Sequence, residues 1–199
     1  LHLAAFTGLL APPAWAGRPL DTEDASILDE RSCQVEVWID RPRHSTTGWI
    51  APACNVGLGI EWEAGFARTN AQGEARFSEG YAQLKTLLHT STEQSPWSLA
   101  LVAGAIKRPL EAHRGWGNPF SVLAYSGALG DTPFALHANI GWTRSRATRS
   151  GATPWAIAIE YAPTERSAIV AETFGLDCER PFVRVGARHA LIPKRLDLD

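Results

Sequence analysis

"PFALHANIGW", Pro133 to Trp142, is the stretch whose reading decides the fold. Phe134, Leu136, Ala138, Ile140 and Trp142 are apolar, and the residues between them, Ala135, His137, Asn139 and Gly141, are small or polar. Strict period-two alternation is the mark of a strand with one apolar face. A soluble sandwich would press that face against a second sheet. A membrane barrel would turn it to lipid and its polar face to a water-filled lumen.

Working outward from this stretch, short strand-like segments recur between clusters of Gly, Pro, Asn, Asp and Ser. They fall at 33–41, 46–54, 57–69, 74–87, 97–107, 119–128, 133–143, 154–162, 167–174 and 181–190, and an eleventh begins at "KRLDLD". "EGYAQLKTLLH" places Tyr81, Leu84 and Leu88 at helical spacing, but it continues the alternation from Phe77 and is read as strand. Tight connections such as "CNVG", "LGDT", "PTER" and "LIPK" are expected on one side, with "HTSTEQSP" the exception. The longer "RPLEAHRGWGNP" and "TRSRATRSGATP" are expected on the other side, the habit of outer-membrane barrels.

The first hairpin fixes its own register. With the turn centred on Arg43-His44, Cys33 opposes Cys54, Val35 opposes Pro52, Val37 opposes Ile50 and Ile39 opposes Gly48. On the other face Trp38 meets Trp49 and Glu36 meets Ala51. The apolar faces agree across the pair, as register requires. A Cys33–Cys54 disulfide is expected and Cys178 is expected to be free. The start of the chain bears on this. "LHLAAFTGLLAPPAWA", residues 1–16, is an apolar run ending in the A-x-A signal Ala14-Trp15-Ala16 and reads as a partial signal peptide. Export permits disulfides. Residues 17–32 form an acidic, extended lead-in, and 33–199 form the barrel.

At 199 residues with a net charge of −2, the chain is long enough for one all-β domain and has no basic footprint for nucleic acid. No run of about 20 apolar residues exists, so no membrane helix is expected; barrel strands need none. One strand face carries Leu58, Ile60, Trp62, Phe66, Leu99, Leu101, Phe134, Leu136, Ile140, Trp155, Ile157, Ile159, Val183 and Val185. The other carries Glu36, Glu61, Glu63, Glu79, Gln83, Lys85, His137, Asn139, Glu160, Glu172, Arg184 and Arg188. Polarity alone fits a sandwich as well as a barrel. Trp38, Trp49, Trp62, Trp97, Trp142 and Trp155 fall at or near strand ends, where barrels place their aromatic girdles. The fold expected is therefore all-β: an antiparallel up-and-down meander forming an incomplete transmembrane β-barrel, with ten or eleven of about twelve strands. Glu36, Glu61, Glu63, Glu79, His137, Asn139, Glu160, Glu172, Arg184 and Arg188 are expected to line its lumen.

Several segments then resemble a known family. "CQVEVWIDR", "PACNVG", "GFARTN", "FSEGYAQLKT", "GWGNPF", "AETFG" and "RPFVRVGARH…RLDLD", in this order, resemble Gram-negative outer-membrane β-barrels of the type named after the MetA pathway of phenol degradation. The resemblance implies an outer-membrane location, passage of small, possibly aromatic solutes, and contact with membrane lipid, lipopolysaccharide and the barrel-assembly machinery. It also implies a barrel closed on an aromatic residue, so a chain ending at Asp199 is expected to be truncated.

Catalytic signals are weak. Ser126 in "AYSGALG" lacks the G-x-S-x-G elbow. The histidines lack H-E-x-x-H spacing, the cysteines form no C-x-x-C, and no metal or cofactor is expected. Gly57 and Gly59 lack the third glycine of a dinucleotide loop and mark a turn. Glu61 and Glu63 imitate a hydrolase carboxylate pair without a third group. A channel is the expected function. A non-conducting barrel and an outer-membrane hydrolase are the alternatives, the last calling for a Ser–His pair near one rim.

Overall fold

The computed structural model describes residues 21–41, 44–71, 73–109, 117–177, 179–192 and 196–198. Every regular element among them is a strand: β1 (Ser32–Asp40), β2 (Ser45–Asn55), β3 (Ile60–Ala71), β4 (Glu74–His89), β5 (Trp97–Lys107), β6 (Asn118–Ala128), β7 (Phe134–Arg144), β8 (Gly151–Ala152), β9 (Pro154–Thr164), β10 (Ser167–Leu176), β11 (Phe182–Ile192) and β12 (Leu196–Leu198). They form one antiparallel sheet in sequence order, with the two-residue β8 set beside the end of β7. The sheet curls into an open half-barrel. The segment "EGYAQLKTLLH" lies wholly within β4.

Register follows the side-chain alternation. In the first hairpin Cys33 opposes Cys54, Val35 opposes Pro52, Val37 opposes Ile50, Trp38 opposes Trp49 and Ile39 opposes Gly48. Cys33 and Cys54 are disulfide-bonded across the hairpin, with their Cα atoms 4.1 Å apart. Cys178, the signal segment 1–16 and the first residues of the lead-in lie outside the described residues.

The two faces differ in size as well as polarity. The inner face carries alanines packed tight in the wall: Ala51, Ala53, Ala67, Ala100, Ala124, Ala156 and Ala158 are all buried. Curling brings inward side chains together, so small residues suit that face. Gly65 shows how close the inner packing is. A Cβ there would lie 1.9 Å from the Tyr81 ring, so the glycine is the seat on which that ring rests.

Two expectations need correction. Leu58 is not on a strand face: it lies in the turn at 56–59, where Gly57 and Gly59 take positive φ and end the pairing before β3. Trp38 is near the end of β1 and Trp49 is the fifth of the eleven residues of β2, and neither lies in an outer girdle. Glu36 opposes buried Ala51 on the inner face, and two-residue periodicity puts Trp38 with it, stacked on Trp49 at 5.2 Å between ring centroids. Trp62 and Trp142 do point outward, and Trp97 packs with His89 and Tyr125 beside outward Leu99. The connection at 90–96, the exception among the tight set, lies at the same end of the sheet as 129–133 and 165–166, and 145–150 lies at the other.

Candidate functional site

The polarity of the sheet is inverted relative to a water-soluble protein. Charges on the inner face are buried at three positions, Glu61, Lys85 and Glu172, each 3% exposed. Outward apolar residues lie open, with Val37 71% and Val185 70% exposed. The same outer face carries Ile50, Ile60, Phe66, Leu84, Leu123, Ile140, Ile157, Ile159, Ile169 and Val183, all exposed and spread from β2 to β11.

Cross-strand pairs share a face, and this places each lumen residue expected from the sequence. Glu63 opposes Ala53 and Gln83, Glu79 opposes Ala67, and His137 opposes Ser126 and Ala158. Asn139 opposes Ala124 and Ala156, Glu160 opposes Val170, Glu172 opposes Arg184, and Arg188 opposes Ala168. All stand on the inner face with the buried alanines.

What brings many of them together is the lead-in. Residues 21–29 run across the inner face, roughly at right angles to the strands, from β11 to β2. Glu172 accepts the Asp21 N–H at 3.2 Å, the Thr22 N–H at 3.0 Å and the Thr22 hydroxyl at 2.8 Å. Arg184 closes this corner, 2.8 Å from the Asp21 carboxylate and 3.4 Å from that of Glu172. Asn139 grips Glu23 in both directions, accepting its N–H at 2.6 Å and donating to its carbonyl at 2.8 Å. Lys85 reaches across to the Asp24 carboxylate at 3.0 Å and to that of Glu23 at 3.4 Å. Ala25 donates its N–H to Ser126 Oγ at 2.8 Å and packs its methyl group against Ala100 and Ala124, with Leu87 alongside. Leu28 donates to Glu61 at 2.7 Å, and Asn55 donates to the Leu28 carbonyl at 2.7 Å. The buried charges of the wall are thus paired and hydrogen-bonded, the condition under which buried charge is tolerated.

Residues 17–32 show no alternation, so from sequence they read as a lead-in only. The clue is its acid pattern, Asp21, Glu23 and Asp24, opposite Lys85 and Arg184 on the polar strand face.

Toward the other end of the inner face lies a second group. Trp38 stacks on Trp49, Trp49 tilts against Tyr81 at 6.1 Å, and the Tyr81 hydroxyl donates to Glu63. Gln83 donates to the same carboxylate at 2.9 Å, Gln34 donates to Glu36 at 3.1 Å, and Arg108 pairs with Glu79 at 2.6 Å. Glu61 and Glu63 are therefore held by separate partners, Leu28 for one and Tyr81 with Gln83 for the other. Ser126 Oγ is 2.7 Å from His137 Nδ1, the serine–histidine contact that the hydrolase alternative calls for. Its hydroxyl also takes the Ala25 N–H, and among the described residues no carboxylate is hydrogen-bonded to His137. Among the described residues no cluster of His, Cys, Asp and Glu has the arrangement to hold a metal ion.

Fold and site together define a curled antiparallel β-meander whose polar inner wall holds its own N-terminal segment. The chain belongs to the family described as Uncharacterised conserved protein UCP029691, whose model matches residues 5–199. No curated protein and no solved structure matches it.

Proposed function

We propose that this chain is a membrane-embedded β-barrel of the Gram-negative outer membrane that governs passage of small solutes along its polar inner wall. One observation carries the reading: the sheet buries Glu61, Lys85 and Glu172 on its inner face and exposes apolar side chains on its outer face from β1 to β11. Soluble monomers rarely expose contiguous apolar patches beyond about 300–600 Å². Lipid is the solvent that makes such a face favourable, and a hydrated lumen is the environment that suits paired charges. The resemblance to barrels of the phenol-degradation type adds small aromatic molecules as the solute class, and the inner Trp38–Trp49–Tyr81 group suits such a solute by ring stacking.

The test is conductance of the full chain reconstituted in planar bilayers. Step conductance is expected, with ion selectivity that changes when Arg184 is replaced by leucine. A protein that inserts but never conducts would instead support the non-conducting barrel.

A second reading, a membrane hydrolase, is favoured by the Ser126–His137 contact alone. An acyl-transfer site of this kind would label covalently with a fluorophosphonate at Ser126. Absence of labelling after the lead-in has been loosened removes it.

A further inference from the structure

We propose that the inner wall is a docking track for an extended acidic polypeptide, and that residues 21–29 are its resident occupant, exchangeable for another segment of the same chemistry. This inference rests on inner-face geometry and holds whatever solvates the outer face.

The contacts show what the wall reads. Glu172, Asn139, Ser126 and Glu61 accept main-chain N–H groups of residues 21, 22, 23, 25 and 28. Asn139 and Asn55 donate to the carbonyls of residues 23 and 28. These groups exist in every polypeptide, so this part of the recognition is independent of sequence. It also needs an extended chain, because a helix would have used the same N–H and C=O groups internally.

Side-chain selection works through charge and size. Lys85 and Arg184 face the carboxylates of Asp21, Glu23 and Asp24. Ala100 and Ala124 leave room for a small residue at position 25. The Thr22 hydroxyl adds a side-chain contact to the wall, on Glu172. A wall that satisfies backbone with side chains, rather than with a strand edge, leaves its own ladder intact when the occupant leaves. Exchange therefore does not require the sheet to open.

The experiment keeps the full chain and evicts the resident segment. E23P/A25P removes two of the N–H donors and leaves every wall residue in place; D21K/E23K/D24K is the second variant, reversing the charge. Hydrogen exchange at residues 21–28 reports eviction. Labelled peptides are then titrated by fluorescence anisotropy. A peptide copying residues 21–29 should bind both variants, and so should one that keeps its acidic positions and has alanine elsewhere. N-methylation at the positions of Thr22 and Leu28 deletes two bonds to carboxylates and should weaken binding by about a hundredfold. A peptide with lysine in place of each acid should not bind.

Three results overturn the proposal. In one, only the native sequence binds, which would make the segment a specific latch. In another, the N-methylated peptide binds as well as its parent. In the third, the segment stays protected in both variants, or is evicted from either and no peptide takes its place.

Discussion

Glu172→Gln is the sharpest single perturbation of the inner wall. The carboxylate is fully buried and accepts from Asp21, the Thr22 amide and the Thr22 hydroxyl, with the Arg184 guanidinium beside it. Glutamine keeps the shape but has one acceptor oxygen and one NH₂ donor. Its best placement turns the carbonyl toward Thr22, which leaves the NH₂ facing the Asp21 N–H and Arg184. One charge-assisted bond becomes a donor–donor contact and two others become neutral. A hydrogen bond to a charged group contributes about 1.5–3 kcal/mol. The expected loss of hold on the segment is therefore about 2–4 kcal/mol, or about 30- to 1000-fold in its bound-to-released ratio. The assay is amide hydrogen exchange. Protection at Asp21, Thr22 and Glu23 should collapse, while Leu28, held by Glu61 and Asn55, should lose less. Unchanged protection at 21–23 would refute the assignment of Glu172 as the clamp.

Other consequences follow from the two faces and the hairpin. Ile140→Arg puts a charge in the middle of β7 on the outer face and should cost about 2–4 kcal/mol of membrane insertion, read by folding into lipid vesicles. Gly65→Ala drives a methyl group into the Tyr81 ring; with overpacking costing about 1–3 kcal/mol, it should shift the near-UV circular dichroism of the Trp38–Trp49–Tyr81 group. Replacing Cys33 and Cys54 together by serine should cost about 3 kcal/mol in the loop-entropy account, because the bridge spans 21 residues of sequence. Denaturant unfolding measures that loss.

The strands were legible because period-two alternation is local. Each of Phe134, Leu136, Ile140 and Trp142 states its face through its neighbours, and the symmetry of "CQVEVWID" against "GWIAPAC" specifies a register found residue for residue. Strand-end position was a poorer guide than parity: Trp38 sits near a strand end yet shares the face of Glu36, and Trp49, on the same face, is mid-strand. The packing of residues 21–29 was not legible, because the groups that hold them to the wall are distant in sequence. Their partners Glu172, Asn139 and Ser126 lie from 101 to 151 residues away. An acidic segment with no alternation has no periodicity to read, and only charge complementarity to Lys85 and Arg184 pointed to its place. The Ser126–His137 contact was hidden likewise, since it needs the β6–β7 register before the two residues become neighbours.

The central claim is that lipid covers the outer face and water the inner one, and two adjacent residues on β11 test it. Val185 points outward and is 70% exposed, and a Cβ at inward Gly186 meets nothing within 4 Å. Each is replaced by cysteine, labelled with a small fluorophore and reconstituted in vesicles. Quenching is measured with brominated lipid and with aqueous iodide. The account predicts that the label at 185 is quenched by brominated lipid and spared by iodide, with the reverse at 186. Iodide quenching at both positions, with no effect of brominated lipid at 185, would contradict it.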